Sequence, residues 1–221
     1  KYFGNLFEKR FSNFGYKLHK GANVLNSTSI RDLHFKLASL IQNPTDWLID
    51  ASEHLTILND GIDRYVGFSQ IEQMMIYDLL TYLPTDILTK VDRAAMAVSL
   101  ETRVPFLDPS VIEFSAQLPL NYKIRNGESK WILRELLYKH VPKDLIQRPK
   151  MGFAVPLAEW LRGPLRDWAE MLLDERRLQN EGFFNVKVVR DKWNEHISGK
   201  RNWHYQLWNV LIFQTWLENN S

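Results

Sequence analysis

An all-α fold is what this sequence predicts, and three observations carry that reading. Apolar residues recur at helical spacing from Ser29 to the last twenty residues. Caps, prolines and glycines punctuate these runs where helices start and stop. No stretch alternates apolar and polar residues long enough for a strand, "VKVV" at 186–189 being too short. With 221 residues, 45% hydrophobic and 24% charged, the chain can bury one sizeable core, or one domain with an appendage.

Residues 1–26, aromatic and basic without a clean period, read as a connecting segment, and 27–221 as the helical body. Ile30, Leu33, Leu37, Leu40 and Ile41 form the first helical stripe, with Ser29 as N-cap and Pro44 after its end. Ile71, Met74, Met75, Leu79 and Tyr82 form the second, ended by Pro84. The methionine pair reads as core filler. A new helix from Thr85 or Asp86 shows Ile87, Val91, Ala94, Ala95 and Val98 on one face. Asp108-Pro109 reads as N-cap and first helical residue of the next, with Val111, Ile112, Phe114 and Leu118 inward. For Asp108, capping outweighs catalysis. A helix is predicted over 129–140, with Glu135 and Lys139 as an i,i+4 pair. Gly163-Pro164 opens another that uses Leu165, Trp168, Ala169 and Leu172. Asn185 and Gly199 bracket the next as N-cap and C′ glycine. The last, roughly 203–217, is apolar on nearly every face, which implies deep burial or docking to a partner.

The chemistry that is missing narrows the function. There is no cysteine, so disulfides, thiolate metal sites and a cysteine nucleophile are excluded. A reducing cytoplasm fits, although zero cysteines suit any compartment. A net charge of +2 from 28 basic and 26 acidic residues argues against a nucleic-acid surface. No apolar run reaches membrane-spanning length, and no signal peptide is visible. All ten glycines are isolated, so no glycine loop can cradle phosphates in the usual way. The six histidines show neither HxxxH nor HExxH spacing, and no elbow motif supports a serine triad. Any catalytic role is therefore expected to supply part of a site. A start at Lys1 rather than Met suggests a piece of something longer.

Four linked segments then stand out: "LPTDILTKVDR" (83–93), "ETRVPFLD" (101–108), "KWILR" (130–134) and "RPKMGF" (148–153). In order and interval they resemble the synthetase domain of the glutamine-hydrolysing asparagine synthetases. The resemblance is specific over 78–119 and 127–166; elsewhere only general helical character is shared. An N-terminal cysteine-dependent glutaminase domain, the SGG-x-DS loop that binds pyrophosphate in the family, and the acidic SG[DE]G-x-DE-x-FGGY segment are all missing. The resemblance thus implies the helical C-terminal part of an α/β adenine-nucleotide α-hydrolase-like (PP-loop ATP pyrophosphatase) synthetase domain. It implies ATP and Mg²⁺ in the full-length enzyme, with aspartate and glutamine-derived ammonia as the other substrates. Aspartate would be activated as an acyl-adenylate and then amidated. The remaining N-terminal portions of the same chain would be the main partner, a homodimer is allowed, and the setting would be cytoplasmic.

By resemblance, Lys150 is the catalytic residue, a loop cation between Pro149 and Gly152 that stabilises developing negative charge. Glu101 and Arg103 are two apart in an extended segment and point the same way. They either form a buried salt bridge that fixes the turn or meet a zwitterionic amino acid. Asp92 and Arg93 are either a structural ion pair or face the nucleotide. Lys130 and Arg134 are like charges at i,i+4, unfavourable unless pyrophosphate or an acidic neighbour lies between them. Two rival readings stay open. One is a relative that amidates another acceptor, such as a surface sugar, a peptide or a β-lactam precursor. The other is a helical interaction module without catalysis.

Overall fold

A computed structural model describes residues 21–22, 24–147 and 155–220. The chain divides into two compact units, 1–66 with 154–221 (unit 1) and 67–153 (unit 2). Unit 1 opens with α1 (Ile30–Ala38), capped by Ser29, whose hydroxyl accepts from the Asp32 N–H at 3.1 Å. The short α2 (Pro44–Trp47) follows. Leu40 and Ile41 lie beyond the end of α1, so the expected stripe stops at Leu37.

Unit 2 starts with α3 (Gln70–Leu80), entered through a capping box in which Ser69 and Glu72 satisfy each other's backbone N–H. Pro84 does not end the helical path as expected. It sits in a π-helical segment, Leu83–Leu88, that leads directly into α4 (Thr89–Met96). Proline has no N–H to donate and its ring crowds the preceding turn, and a wider turn relieves both. Three threonine hydroxyls re-satisfy carbonyls along this stretch: Thr81 donates to Tyr77 O (2.6 Å), Thr85 to Thr81 O (2.7 Å) and Thr89 to Pro84 O (2.9 Å). A 3₁₀ turn (Pro105–Leu107) precedes α5 (Pro109–Gln117), and α6 (Leu120–Lys123) follows.

A two-stranded antiparallel hairpin of β1 (Ile124–Arg125) and β2 (Glu128–Ser129) comes next, where only helix is expected from the sequence. Asn126 (φ 52°) and Gly127 (φ 78°) make its turn, both in the left-handed region that Asn-Gly tolerates best. The hairpin delays the following helix, α7, to Trp131–Leu137, and α8 (Lys143–Ile146) closes the described part of the unit. The described residues are mostly helical, with this hairpin as their only sheet.

Unit 1 resumes with α9 (Leu157–Arg162), α10 (Arg166–Leu172), α11 (Glu175–Glu181), α12 (Val186–Ile197) and α13 (His204–Asn220). Its two chain segments are stitched by an isolated bridge between Leu48 and Phe184, with Ile49 N–H donating to Phe183 O (3.0 Å) and Asn185 N–H to Trp47 O (2.8 Å). Trp47, Leu161, Ala169, Leu172, Leu178, Val189, Trp193, Leu207 and Leu211 build one core here. On α13 the burial is one-sided: Leu207, Val210, Leu211 and Gln214 are buried, whereas Trp216 is 57% exposed. Of the two alternatives for this helix, burial on every face does not hold, and docking to a partner stays open.

Unit 2 is different. Among its described residues Tyr77 alone is a buried hydrophobic, and Ile71, Met75, Leu79, Val91 and Phe114, all expected to face inward, are exposed. Helical periodicity marked these faces correctly as apolar, but in this chain nothing among the described residues covers them.

Candidate functional site

All six described candidate residues belong to unit 2. Lys150, with the rest of 148–154, lies outside the described residues. The six fall into three local groups, and among the described residues no ion pair joins one group to another.

The first group is on α4. Asp92 and Arg93 are adjacent, with Nη1 to Oδ2 at 3.8 Å, and both side chains are exposed. The second is in the extended link between α4 and the 3₁₀ turn. Glu101 and Arg103 project to the same side, as spacing two in an extended chain requires, and pair at 2.6 Å. Their side chains are 72% and 77% exposed, which overturns the buried version of this salt bridge. In water such a pair contributes little stability. What it does is hold an anion and a cation side by side on the surface.

The third group surrounds the hairpin. Lys130 sits just before α7 in the left-handed region (φ 59°) and is exposed. Arg134, half-buried, reaches back: its Nε donates to Ser129 O at 3.0 Å, and its Nη1 lies 3.6 Å from Glu128. The hairpin thus delivers an acidic neighbour, Glu128, to Arg134, and among the described residues no ion pair joins it to Lys130. Tyr138 first, and Glu128 after it, push the Arg134 guanidinium further up from an already basic pKa. Glu128 was the residue missed from sequence, and the Asn126-Gly127 dipeptide was the signal that could have found it.

Asp108 behaves as a cap. Its carboxylate accepts from the Ser110 N–H at 2.9 Å and from the Ser110 hydroxyl. These bonds hold its pKa below the usual carboxylate value. A carboxylate held ionised by a helix terminus is a poor general acid, so the capping reading stands.

Among the described residues no group of three His, Cys, Asp or Glu could hold a metal ion, so no Mg²⁺ ligand is assigned. The left-handed glycines Gly61, Gly127, Gly182 and Gly199 are scattered and do not form a phosphate cradle. The site's contribution is a set of solvated charges. No helix among the described residues is long and apolar enough to cross a membrane.

The described candidates are thus exposed, closely spaced charges on a helical scaffold. Comparison with known proteins gives the chain a family. The asparagine synthase family model matches residues 5–218, and the chain belongs to that family. It is 34% identical over 150 residues to asparagine synthetase [glutamine-hydrolyzing] 1 of Bacillus subtilis, covering 68% of this chain and 23% of that protein. It is 38% identical over 151 residues to a putative asparagine synthetase [glutamine-hydrolyzing] of Mycobacterium bovis, with the same coverages. The human asparagine synthetase [glutamine-hydrolyzing] is 28% identical over 158 residues, 62% of this chain and 26% of that protein. The aligned region thus spans about a quarter of the length of these relatives. No solved structure matches the chain.

Proposed function

We propose that this chain is the helical C-terminal part of the synthetase domain of an ATP-dependent, glutamine-hydrolysing amide ligase that converts aspartate to asparagine. The observation that carries the reading is the family match over 5–218, which includes all four motif segments. In the proposed reaction ATP activates the side-chain carboxylate of aspartate as an acyl-adenylate, and ammonia from glutamine then displaces AMP. Negative charge grows on the departing pyrophosphate and later on a tetrahedral oxygen, and preplaced cations lower both barriers.

Within that scheme the residues of this chain divide the work. Glu101 and Arg103 present opposite charges side by side, the pattern that complements the ammonium and carboxylate of a free amino acid. Arg93 and Lys130 are exposed cations available to an anionic group. Arg134, tied to Ser129 O and Glu128, serves as a positioning residue for the turn that carries Lys130. Lys150 is the loop cation whose contacts strengthen as charge develops.

The test is single-turnover pyrophosphate release by the intact enzyme that contains this segment, with aspartate as acceptor. Lys150→Met is expected to slow release by roughly a hundred- to a thousand-fold while ATP and aspartate binding stay within about threefold. Release at the parental rate would remove Lys150 from the mechanism. Release that does not depend on aspartate would remove the acceptor assignment.

A further inference from the structure

We propose that unit 1 carries a binding site for a small multivalent anion, an organic phosphate or polycarboxylate, in a groove that none of the six described candidate residues lines. The groove has a volume of about 620 Å³. One side is the chain from Lys36 through α2, and the other is α12 with the residues that lead into α13. That volume suits a metabolite-sized ligand.

Three cations and one acid line it: Lys36, Lys192, Arg201 and Asp46. Their surroundings decide which charges are free. Lys36 is neutralised by Asp32 at 2.8 Å. Glu195, beside the groove, is shared. It accepts from Trp203 Nε1 at 2.7 Å, pairs with Lys200 at 3.4 Å and meets Lys192 only at 4.0 Å. Arg201 has no ion pair among the described residues, and neither does Asp46. Lys192 and Arg201 therefore face the groove with most of their charge uncompensated.

Both cations are also held in place. The Lys192 ammonium lies 4.4 Å from the centroid of the Trp203 ring, and the Arg201 guanidinium carbon 3.9 Å from it. The indole itself is fixed by its bond to Glu195 and by edge packing against Trp47 at 6.3 Å. Long basic side chains normally spend entropy when they bind, and an aromatic clamp that orders them beforehand removes part of that cost. Because both cations already rest on Trp203, the ligand is recognised through its charge rather than by stacking on the indole. Asn43 and Asn185 add amides to the lining.

The experiment is calorimetric titration of the 221-residue chain, at low ionic strength, with citrate and separately with inorganic phosphate. Saturable one-site binding is expected for at least one probe, and which one binds tells carboxylate from phosphate chemistry. Arg201→Gln and Lys192→Gln should each weaken it about tenfold, the loss of one charge-assisted contact. Lys139→Gln, which removes an exposed cation from unit 2, should leave it unchanged. Asp46→Asn should tighten binding, a gain that misfolding cannot imitate. Absence of saturable heat for both probes, equal weakening by Lys139→Gln, or no gain from Asp46→Asn would each overturn the assignment. Far-UV circular dichroism of each variant confirms that the helices are retained, so any loss is read on folded protein.

Discussion

Acidifying the solution from pH 7 to pH 5 should destabilise unit 1 by about 2 kcal/mol through one side chain, His196. This histidine is fully buried near the C-terminal end of α12. Its Nδ1 accepts the Trp203 N–H at 3.3 Å and lies 3.4 Å from the Arg162 guanidinium, itself a donor. Nδ1 must therefore be unprotonated, with the proton on Nε2. Burial first, then Arg162, then His204, lower the His196 pKa to about 4. His204, packed with its ring centroid 6.2 Å away, is lowered by burial and then by Arg162, while Glu159 opposes the shift there. The sign follows from linkage. Between about pH 6.5 and pH 4 the unfolded chain binds a proton that the folded chain refuses, so stability falls as pH falls through that window. The full loss, reached below about pH 4, is about 3.4 kcal/mol for this residue, and at pH 5 about 2 kcal/mol is already gone. Urea unfolding followed by tryptophan fluorescence is the assay, because of eight tryptophans all but Trp131 lie in unit 1. Above pH 5 few carboxylates titrate, so the slope reports histidines. His196→Gln should flatten it even if it lowers stability at pH 7. An unchanged slope in that variant, or a flat parental profile between pH 7 and pH 5, would refute the argument.

Two further outcomes follow from the contrast between the units. Leu211→Ala, in the core of unit 1, should cost about 2–5 kcal/mol, whereas Leu79→Ala, 43% exposed on α3, should cost well under about 1 kcal/mol; equal costs in urea unfolding would show that the apolar face of α3 is buried in solution. In hydrogen exchange followed by mass spectrometry, the amides of α12 and α13 should be the slowest and those of α3 to α5 markedly faster, and uniform protection would contradict the placement of the core.

The helices were legible because their signals are local. Ser29, Ser69, Asp108 and Asn185 are caps in the structure, and each precedes a helix by chemistry that its own neighbours determine. Ser69 was not singled out in the sequence, although Glu72 three residues on completes the S-x-x-E pattern. Pro84 was misread because proline's usual effect assumes an α-helical turn, and a π turn removes the clash without ending the helix. The hairpin was missed because two-residue strands leave no alternation to read, and only the Asn126-Gly127 turn marks it. At the candidate site, pairings between near neighbours were legible, including Asp92 with Arg93 and Glu101 with Arg103. The exposure of the second pair was not, because burial depends on what packs above a segment rather than on the segment itself. The groove at Trp203 was equally hidden, since it joins residues more than 150 positions apart.

The charges of unit 2 are limited by the same dependence on what packs above them. Local caps and threonine bonds suffice to form α3, α4 and α5, but a helix held by local bonds alone is marginal. An Arg103 that is 77% exposed acts in water, where its field is screened and its rotamers are free. Electrostatic catalysis needs the opposite: fixed charges in a site from which water is excluded. The exposed side chains of Ile71, Met75, Leu79, Val91 and Phe114 are the means by which unit 2 could acquire such a site. Covering those apolar faces would stabilise the helix that carries Asp92 and Arg93. On the proposed function, burial of these faces and activity should therefore rise together. A variant that makes these faces polar, such as Leu79→Lys with Val91→Lys, should lower pyrophosphate release by the intact ligase of the proposed function without altering a single charged candidate, and release at the parental rate would refute the link.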